Sequence, residues 1–237
     1  MSARGWALTT AGFGLATIAL FAAFALLPEM RVAASCMPAG AVVQFELARN
    51  SQDLARIFGA GEASCGPRII AALDAVNRLD LLAFIPTYTA FGIAAALYLS
   101  GGTLRPLALA AIIAAVLAAA GDYLETATLL QITQTLGAAE PLLPRSQAGA
   151  WSKFTLLAAH GMFCAGLCFL AVKRRTILGA LLLLPAPAVA LAAYDHLRFA
   201  NVMSAAFALA WVGLLVSAII ASVRAKDVSV APPPMPS

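Results

Sequence analysis

The stretch PLALAAIIAAVLAAAGDYLET, residues 106–126, decides the fold. Residues 106–120 carry no charged or strongly polar side chain, and about 20 mostly apolar residues are what an α-helix needs to cross a bilayer. Asp122 and Glu125 then follow one helical turn apart, at a depth where ionisable groups are costly and usually face the interior of a bundle. The stretch therefore predicts both a transmembrane helix and a polar site within it.

The rest of the chain has the same apolar character. Of its 237 residues, 62% are hydrophobic and 11% charged, and the mean hydropathy is +0.90, whereas a soluble domain carries roughly a quarter charged residues. These values exclude a water-soluble globular protein. The predicted fold is an all-α polytopic membrane protein whose six transmembrane helices occupy residues 7–27, 81–99, 106–126, 154–171, 176–195 and 203–223.

Domain organisation and sidedness follow from what lies between these helices. Residues 1–226 are predicted to form one membrane domain, and the Pro-rich residues 227–237 a disordered cytoplasmic tail. Positively charged loops stay in the cytoplasm, and the cluster Lys173-Arg174-Arg175 lies between the fourth and fifth helices. We therefore expect a protein of the cell inner membrane with both termini cytoplasmic and its long first loop outside.

The first loop, residues 28–79, is predicted to be an amphipathic extracytoplasmic cap. Val43, Phe45 and Leu47 alternate with polar residues as in a short strand, although Val43 and Leu47 also lie on one helical face. Ser51 suits the N-cap of a short helix. One or two helices are thus expected across the outer face of the bundle, either resting on lipid headgroups or covering a ligand.

The four cysteines fall into two pairs. Cys36 and Cys65 both lie in the first loop, where an extracytoplasmic position permits oxidation, and we predict a disulfide between them. The alternative is two unrelated small apolar residues. Cys164 and Cys168 lie one turn apart within the fourth helix, where packing is the expected role.

Prolines and alanines predict how the helices bend and pack. Pro86 should bend the second transmembrane helix, and Pro185 and Pro187 should bend the fifth. The Ala-rich residues 108–120 allow neighbouring helices to approach closely. The third transmembrane helix is therefore expected at the centre of the bundle.

Polar side chains from several helices are expected at one depth. With the N-terminus inside, Asp122 lies about 24 Å along the third helix, at about 1.5 Å per residue. Asp80 begins the second helix on the outer side, and Asp195 ends the fifth there. Lys153 begins the fourth, with His160 about 10 Å deeper on the same face. The sequence thus predicts a polar cluster beneath the first loop.

Three chemistries fit this cluster. Carboxylates and imidazole are metal ligands, a carboxylate pair can share protons as a relay or general acid and base, and acids and bases can simply neutralise one another. Two histidines cannot supply a His-rich centre, so neither a metal nor a cofactor is predicted. The neutralising pairs would be Asp122 or Glu125 with Lys153, and Asp80 or Asp195 with Arg78 or His196.

Four short motifs support some of these positions. They are Phe-Glu-Leu-Ala at 45–48, Leu-Asp-x-x-x-Phe-Ile-Pro-x-Tyr at 79–88, Gly-Asp-Tyr-Leu-Glu at 121–125 and Trp-x-Lys-Phe at 151–154. Between residues 40 and 155 the chain thereby resembles a group of uncharacterised bacterial multi-pass inner-membrane proteins. The resemblance implies no activity. It suggests five positions as site residues: Asp80, Tyr88, Asp122, Glu125 and Lys153.

The expected function is binding or transport of a small ion, a proton or a polar lipid headgroup at this outward-facing cluster. Asp122 and Glu125 would be the ligands, with Lys153 as counter-ion and His160 as titratable partner. One alternative is an intramembrane hydrolase or lipid-modifying enzyme that uses a carboxylate with His160 as general acid and base. Another is a structural or accessory membrane subunit. Membrane lipids are the expected partners, with a second copy or another membrane protein left open, and no nucleic-acid module is present in the sequence.

Overall fold

The computed structural model describes residues 2–59, 65–102, 105–171 and 175–228. Within these ranges the chain is helical without strands, and six helical stretches are long and apolar enough to cross a membrane, as predicted. Lys173, Arg174 and residues 229–237 of the predicted tail lie outside the described residues. The six stretches are Ala3–Leu26, Cys65–Leu99, Pro106–Gln134, Glu140–Leu170, Thr176–Tyr194 and His196–Arg224.

Several of these stretches contain more than one helical element. The second has a π-helical turn at Asp80–Phe84, and 3₁₀ turns at Leu136–Ala138 and Glu140–Leu142 join the third to the fourth. The α-helices of the described residues are α1 (Ala3–Leu26), α2 (Pro28–Ala33), α3 (Ala41–Glu46), α4 (Ser51–Phe58), α5 (Cys65–Leu79), α6 (Ile85–Leu99), α7 (Pro106–Gln134), α8 (Leu143–Leu170), α9 (Thr176–Leu183), α10 (Pro185–Tyr194) and α11 (His196–Val228).

Residues 28–59, which we call the cap, hold α2, α3 and α4 rather than one or two helices. The strand alternative at residues 43–47 is wrong, because α3 buries Ala41 and Phe45, four residues apart on one helical face. The N-cap of α4 is Asn50 rather than Ser51, and its side chain accepts a hydrogen bond from the backbone N–H of Asp53 at 3.0 Å. Asn and Ser are equally good caps, so sequence alone does not separate them.

A disulfide between Cys36 and Cys65 joins the cap to the second transmembrane stretch. Cys36 follows α2, Cys65 begins α5, and α2 packs beside α5. The Cα atoms of the two cysteines are 5.4 Å apart. The bond therefore ties the segment that follows α2 to the first residue of α5.

The second transmembrane stretch begins much earlier than residue 81, because α5 continues into it. Pro86 has no N–H, and its ring clashes with the carbonyl four residues earlier in a regular α-helix. The helix widens into the π-helical turn immediately before it, where the Ile85 N–H donates to the Asp80 carbonyl. The fifth stretch is interrupted at Leu184, directly before Pro185. The helix is thus irregular at both places where prolines were expected to bend it.

The tightest helix pair is α7 against α8, which face each other through two glycines. A Cβ atom on Gly149 would lie 2.6 Å from the Glu125 backbone nitrogen, and one on Gly121 would lie 3.0 Å from the Gly149 carbonyl oxygen. Only glycine allows two helix backbones to approach this closely. The predicted central position of the third transmembrane helix agrees with its buried alanines, among them Ala111, Ala115 and Ala118.

Replacement of Gly149 by alanine should therefore lower the stability of the protein. The added methyl group meets backbone atoms that cannot rotate away, and such overpacking costs about 1–3 kcal/mol. Thermal unfolding of the purified protein in detergent measures the effect. The matched control is Gly12→Ala in α1, where nothing lies within 4 Å of the new Cβ atom. Equal unfolding midpoints for the two variants would contradict the proposed close packing of α7 and α8.

The disulfide gives a second prediction. Reduction, or replacement of Cys36 and Cys65 by serine, should destabilise the cap, since cross-links of this kind contribute about 2–4 kcal/mol. Protein isolated from cells should resist alkylation at both cysteines until dithiothreitol is added, because disulfides form outside the cytoplasm. Mass spectrometry of the alkylated peptides checks this. Full alkylation of Cys36 without reductant would show that the bond does not form in the cell.

Candidate functional site

Lys153 lies at the centre of a buried ionic cluster. Its Nζ atom is 2.7 Å from Glu125 Oε2, 3.1 Å from Asp122 Oδ1 and 3.1 Å from Glu46 Oε2. The Lys153 side chain is 7% exposed and that of Glu125 is fully buried. Contacts between opposite charges are strong at such distances in a low-dielectric environment. Lys153 is therefore the common counter-ion of three carboxylates.

The glycine contact between α7 and α8 explains this arrangement. Glu125 lies one turn after Gly121, and Lys153 lies one turn after Gly149, so each charged side chain emerges beside the point of closest backbone approach. Asp122 lies on the same face of α7, three residues before Glu125. Two opposed helix turns are thus sufficient to assemble the core of the cluster.

The second transmembrane stretch adds two further side chains. The Tyr88 hydroxyl donates to Asp122 Oδ2 at 2.9 Å, and the Thr126 hydroxyl donates to Asp80 Oδ2 at 3.1 Å. Asp80 begins the π-helical turn, a feature that frequently occurs at functional sites. We refer to the assembly as the Lys153 cluster; it contains Glu46, Asp80, Tyr88, Asp122, Glu125, Thr126 and Lys153.

Glu46 is the contribution of the cap, and sequence reasoning did not assign it to the site. It ends α3, and α3 packs against α7, α8 and α11. Burial raises the pKa of Glu46 above its ordinary value of 4.5; Lys153 opposes this and Asp122 adds to it. The only signal in the sequence was its place in the motif at residues 45–48. Which residue Glu46 contacts depends on how the cap folds back onto the helix bundle.

A cavity of about 160 Å³ adjoins the cluster. Its polar end is formed by Glu46, Asp80, Asp122 and Lys153, and Asn77 lies beside them. Asn77 is 6% exposed, and its Nδ2 atom has no hydrogen-bond partner among the described residues. The remaining wall is largely aromatic, and its members include Phe21, Phe24, Phe84, Tyr88, Phe207 and Trp211.

Trp211 connects the aromatic wall to the ionic cluster. Its ring stacks on Tyr88 with centroids 5.7 Å apart, and Tyr88 is hydrogen-bonded to Asp122. Phe84 contacts both rings, at 5.5 Å from Tyr88 and 6.1 Å from Trp211. The Trp211 indole is therefore linked to the Asp122 carboxylate through Tyr88. A change of charge at the Lys153 cluster should alter the fluorescence of Trp211.

Two residues predicted for the cluster lie elsewhere. The His160 ring is engaged by the Ala111 carbonyl, 3.0 Å from Nδ1, and by the Cys164 sulfur, 3.6 Å from Nε2. Asp195 accepts a hydrogen bond from the Arg198 backbone N–H at 3.1 Å and so caps the start of α11. Neither lines the cavity.

The ion pairs at the outer ends of the helices also differ from those that the sequence suggested. Arg78 lies 3.9 Å from Asp74, one turn earlier on its own helix. His196 Nε2 lies 3.1 Å from Asp53 in the cap, which also accepts from the Arg49 backbone N–H at 2.8 Å. Asp80 and Asp195 therefore do not have the partners that the sequence suggested. No group of His, Cys, Asp or Glu side chains in the described ranges has an arrangement suited to a metal ion.

Comparisons with known proteins add no assignment. No family model matches the chain, and searches of curated proteins and of solved structures find no match. The resemblance carried by the four short motifs accordingly remains a prediction. The site is interpreted from its own geometry.

The raised pKa of Glu46 predicts a specific pH dependence. The folded state holds the Glu46 proton more tightly than the unfolded state, so its contribution to stability falls as pH rises above about 4.5 towards the raised value. Glu46→Gln keeps an uncharged side chain at every pH. The variant should match the parent protein at low pH and unfold at a higher temperature near neutral pH, as measured by thermal unfolding in detergent.

The matched control is Glu29→Gln on the exposed surface of α2. This variant should show no comparable divergence from the parent protein as pH rises. If Glu46→Gln were less stable than the parent near neutral pH, the charged form of Glu46 would be stabilising and the argument from burial would be wrong.

Proposed function

We propose that this protein binds a positively charged group, a proton or an ammonium ion, at the Lys153 cluster within the membrane. The observation that carries the proposal is the charge ratio. Four carboxylates, those of Glu46, Asp80, Asp122 and Glu125, surround a single ammonium group. Fully ionised, the cluster would carry three negative charges in excess.

Such an excess is costly in a membrane protein. Two like charges about 4 Å apart repel by about 4 kcal/mol at an effective dielectric constant near 20, and a buried charge without compensation takes up a proton or a counter-ion. Glu46, Asp80 and Asp122 also line the cavity, which gives a ligand room to reach them. Since the described side chains form no metal-binding group, a proton or an ammonium group suits the site better than a metal ion.

The position of His160 favours binding over hydrolysis. General acid–base chemistry needs a carboxylate and an imidazole within hydrogen-bond reach of the reacting group. Both nitrogens of the His160 ring are engaged away from the cavity, by Ala111 and Cys164. An acid–base pair of the kind that the enzyme alternative requires is thus not assembled.

We further propose that the cap faces the outside of an inner membrane and that both termini are cytoplasmic. The Cys36–Cys65 disulfide lies on the cap side, in keeping with an oxidising compartment. The basic residues 173–175 lie in the connection between the fourth and fifth transmembrane stretches, whose charge favours the cytoplasm. The Lys153 cluster would then face the outer leaflet.

Proton release on cation binding tests the proposal. Purified protein in a neutral detergent and weak buffer is titrated with methylammonium chloride, and a pH-indicator dye records protons displaced from the carboxylates. We expect saturable release at pH 7 beyond that caused by sodium chloride of equal ionic strength. Asp80→Asn should reduce the release severalfold, because the Asp80 carboxylate lines the cavity and accepts only a threonine hydroxyl among the described residues, and Asn keeps its shape but holds no exchangeable proton.

Asp195→Asn is the matched control, since this carboxylate lies outside the cavity and asparagine is an equally good helix cap. It should release protons as the parent protein does. If methylammonium released no more protons than sodium, or if Asp80→Asn behaved like Asp195→Asn, the carboxylates would serve only to neutralise one another and Lys153. The proposal would then be wrong.

A further inference from the structure

We infer that the positively charged group is the primary ammonium of a membrane amphiphile, an ethanolamine-type phospholipid headgroup that enters the cavity sideways between α1 and α11. This inference rests on the proposed function and specifies its ligand. Four features carry it: the cover on the cap side, the gap on the lipid side, the donors and acceptors at the polar end, and the size of the cavity.

On the cap side the cavity is covered by α3. Val42, Val43 and Glu46 of this helix all line it, and α3 packs against α7, α8 and α11. The disulfide at Cys36 holds the segment that precedes α3. A ligand as large as a lipid headgroup would have to displace this helix to enter from the cap side.

On the lipid side the cavity is bounded by α1 and α11, which both contribute lining residues. They touch at Gly14, where an added Cβ would lie 3.1 Å from Leu215 Cδ1. Seven residues further along α1, and seven earlier on α11, Phe21 and Ala208 both line the cavity and are exposed on the outer surface of the bundle, Phe21 by 58%. The cavity therefore has its opening towards lipid about 10 Å from the helix contact.

The polar end of the cavity presents hydrogen-bond acceptors and one vacant donor. The carboxylates of Asp80 and Asp122 accept hydrogen bonds, which a primary ammonium can donate and a quaternary ammonium cannot. Asn77 lies one turn before Asp80, and its buried Nδ2 donor needs an acceptor, since an unsatisfied buried donor is costly. An ethanolamine phosphate carries an ammonium and a phosphate oxygen a few bonds apart and so supplies both.

The size of the cavity limits how much of the lipid it holds. About 160 Å³ is close to the volume of a cavity that accepts a benzene-sized molecule. A headgroup fits this space, whereas acyl chains do not. The chains would remain in the bilayer beside Phe21 and Ala208, and the aromatic wall would contact the carbon atoms next to the headgroup.

Short-chain lipids in a neutral detergent test the inference. The Trp6→Phe/Trp151→Phe variant leaves Trp211 as the single tryptophan, and its fluorescence is followed while dihexanoyl phosphatidylethanolamine is added. We expect a saturable change, with at least tenfold tighter binding than that of dihexanoyl phosphatidylcholine. Asn77→Leu should weaken binding of the ethanolamine lipid about tenfold, because it removes the donor proposed for the phosphate oxygen.

Two variants of α11 test the sideways entry. Ala208→Phe fills the gap beside Phe21 and should weaken binding of the ethanolamine lipid at least tenfold. Ala205→Phe places the same ring on an exposed part of α11 that does not line the cavity, and should bind as the parent does. Methylammonium-driven proton release, retained in both variants, shows that each is folded with an intact cluster.

The outcomes separate the two proposals. Equal affinity for the ethanolamine and choline lipids, or equal binding by Ala208→Phe and Ala205→Phe, would overturn the inference about the lipid, while proton release by methylammonium would still support a cation site. If neither methylammonium nor the ethanolamine lipid has an effect, both proposals fail.

Discussion

Lys153 is held by carboxylates from a neighbouring transmembrane helix and from the cap, and the other features of the site depend on this contact. It requires the close approach of α7 and α8 at Gly121 and Gly149, because a wider separation would leave buried charges apart. Breaking a buried pair of this kind by removing one partner costs about 3–5 kcal/mol. Through Glu46 the same lysine also fixes α3 over the cavity, so one side chain links helix packing, cap position and the shape of the site.

The membrane fold could be predicted because apolar length alone identifies a transmembrane helix. The third stretch begins at Pro106 in both the prediction and the structure. The second was placed too late, at residue 81, because Arg78 and Asp80 interrupt its apolar run. In the structure Arg78 lies in α5, and Asp80 begins the π-helical turn that continues it. The cap was the least predictable part, since short helices such as α3 depend on tertiary packing rather than on their own propensity.

The site was only partly predictable, for a geometric reason. Position along a helix gives the depth of a side chain, and this was enough to suggest that Asp122, Glu125 and Lys153 lie at one level. The depth of a side chain does not reveal which neighbouring helix or loop that side chain faces. His160 shares a helix face with Lys153 yet contacts the Ala111 carbonyl, and Glu46 reaches the cluster from a segment whose path the sequence does not reveal. Helix rotation and cap folding decide both cases, and both depend on contacts distant in the chain.

The ratio of charges distinguishes this cluster from the other ionic contacts of the protein. Arg78 pairs with the single carboxylate of Asp74, as expected where neutralisation is the purpose. At Lys153 one base faces three acids. A fourth acid, Asp80, lines the adjoining cavity and accepts a hydrogen bond from a threonine hydroxyl alone within the described part of the chain. An arrangement built only for stability would need fewer carboxylates, because each additional one must be desolvated. Three of the four carboxylates line the cavity, and this coincidence supports the proposal of binding over simple neutralisation.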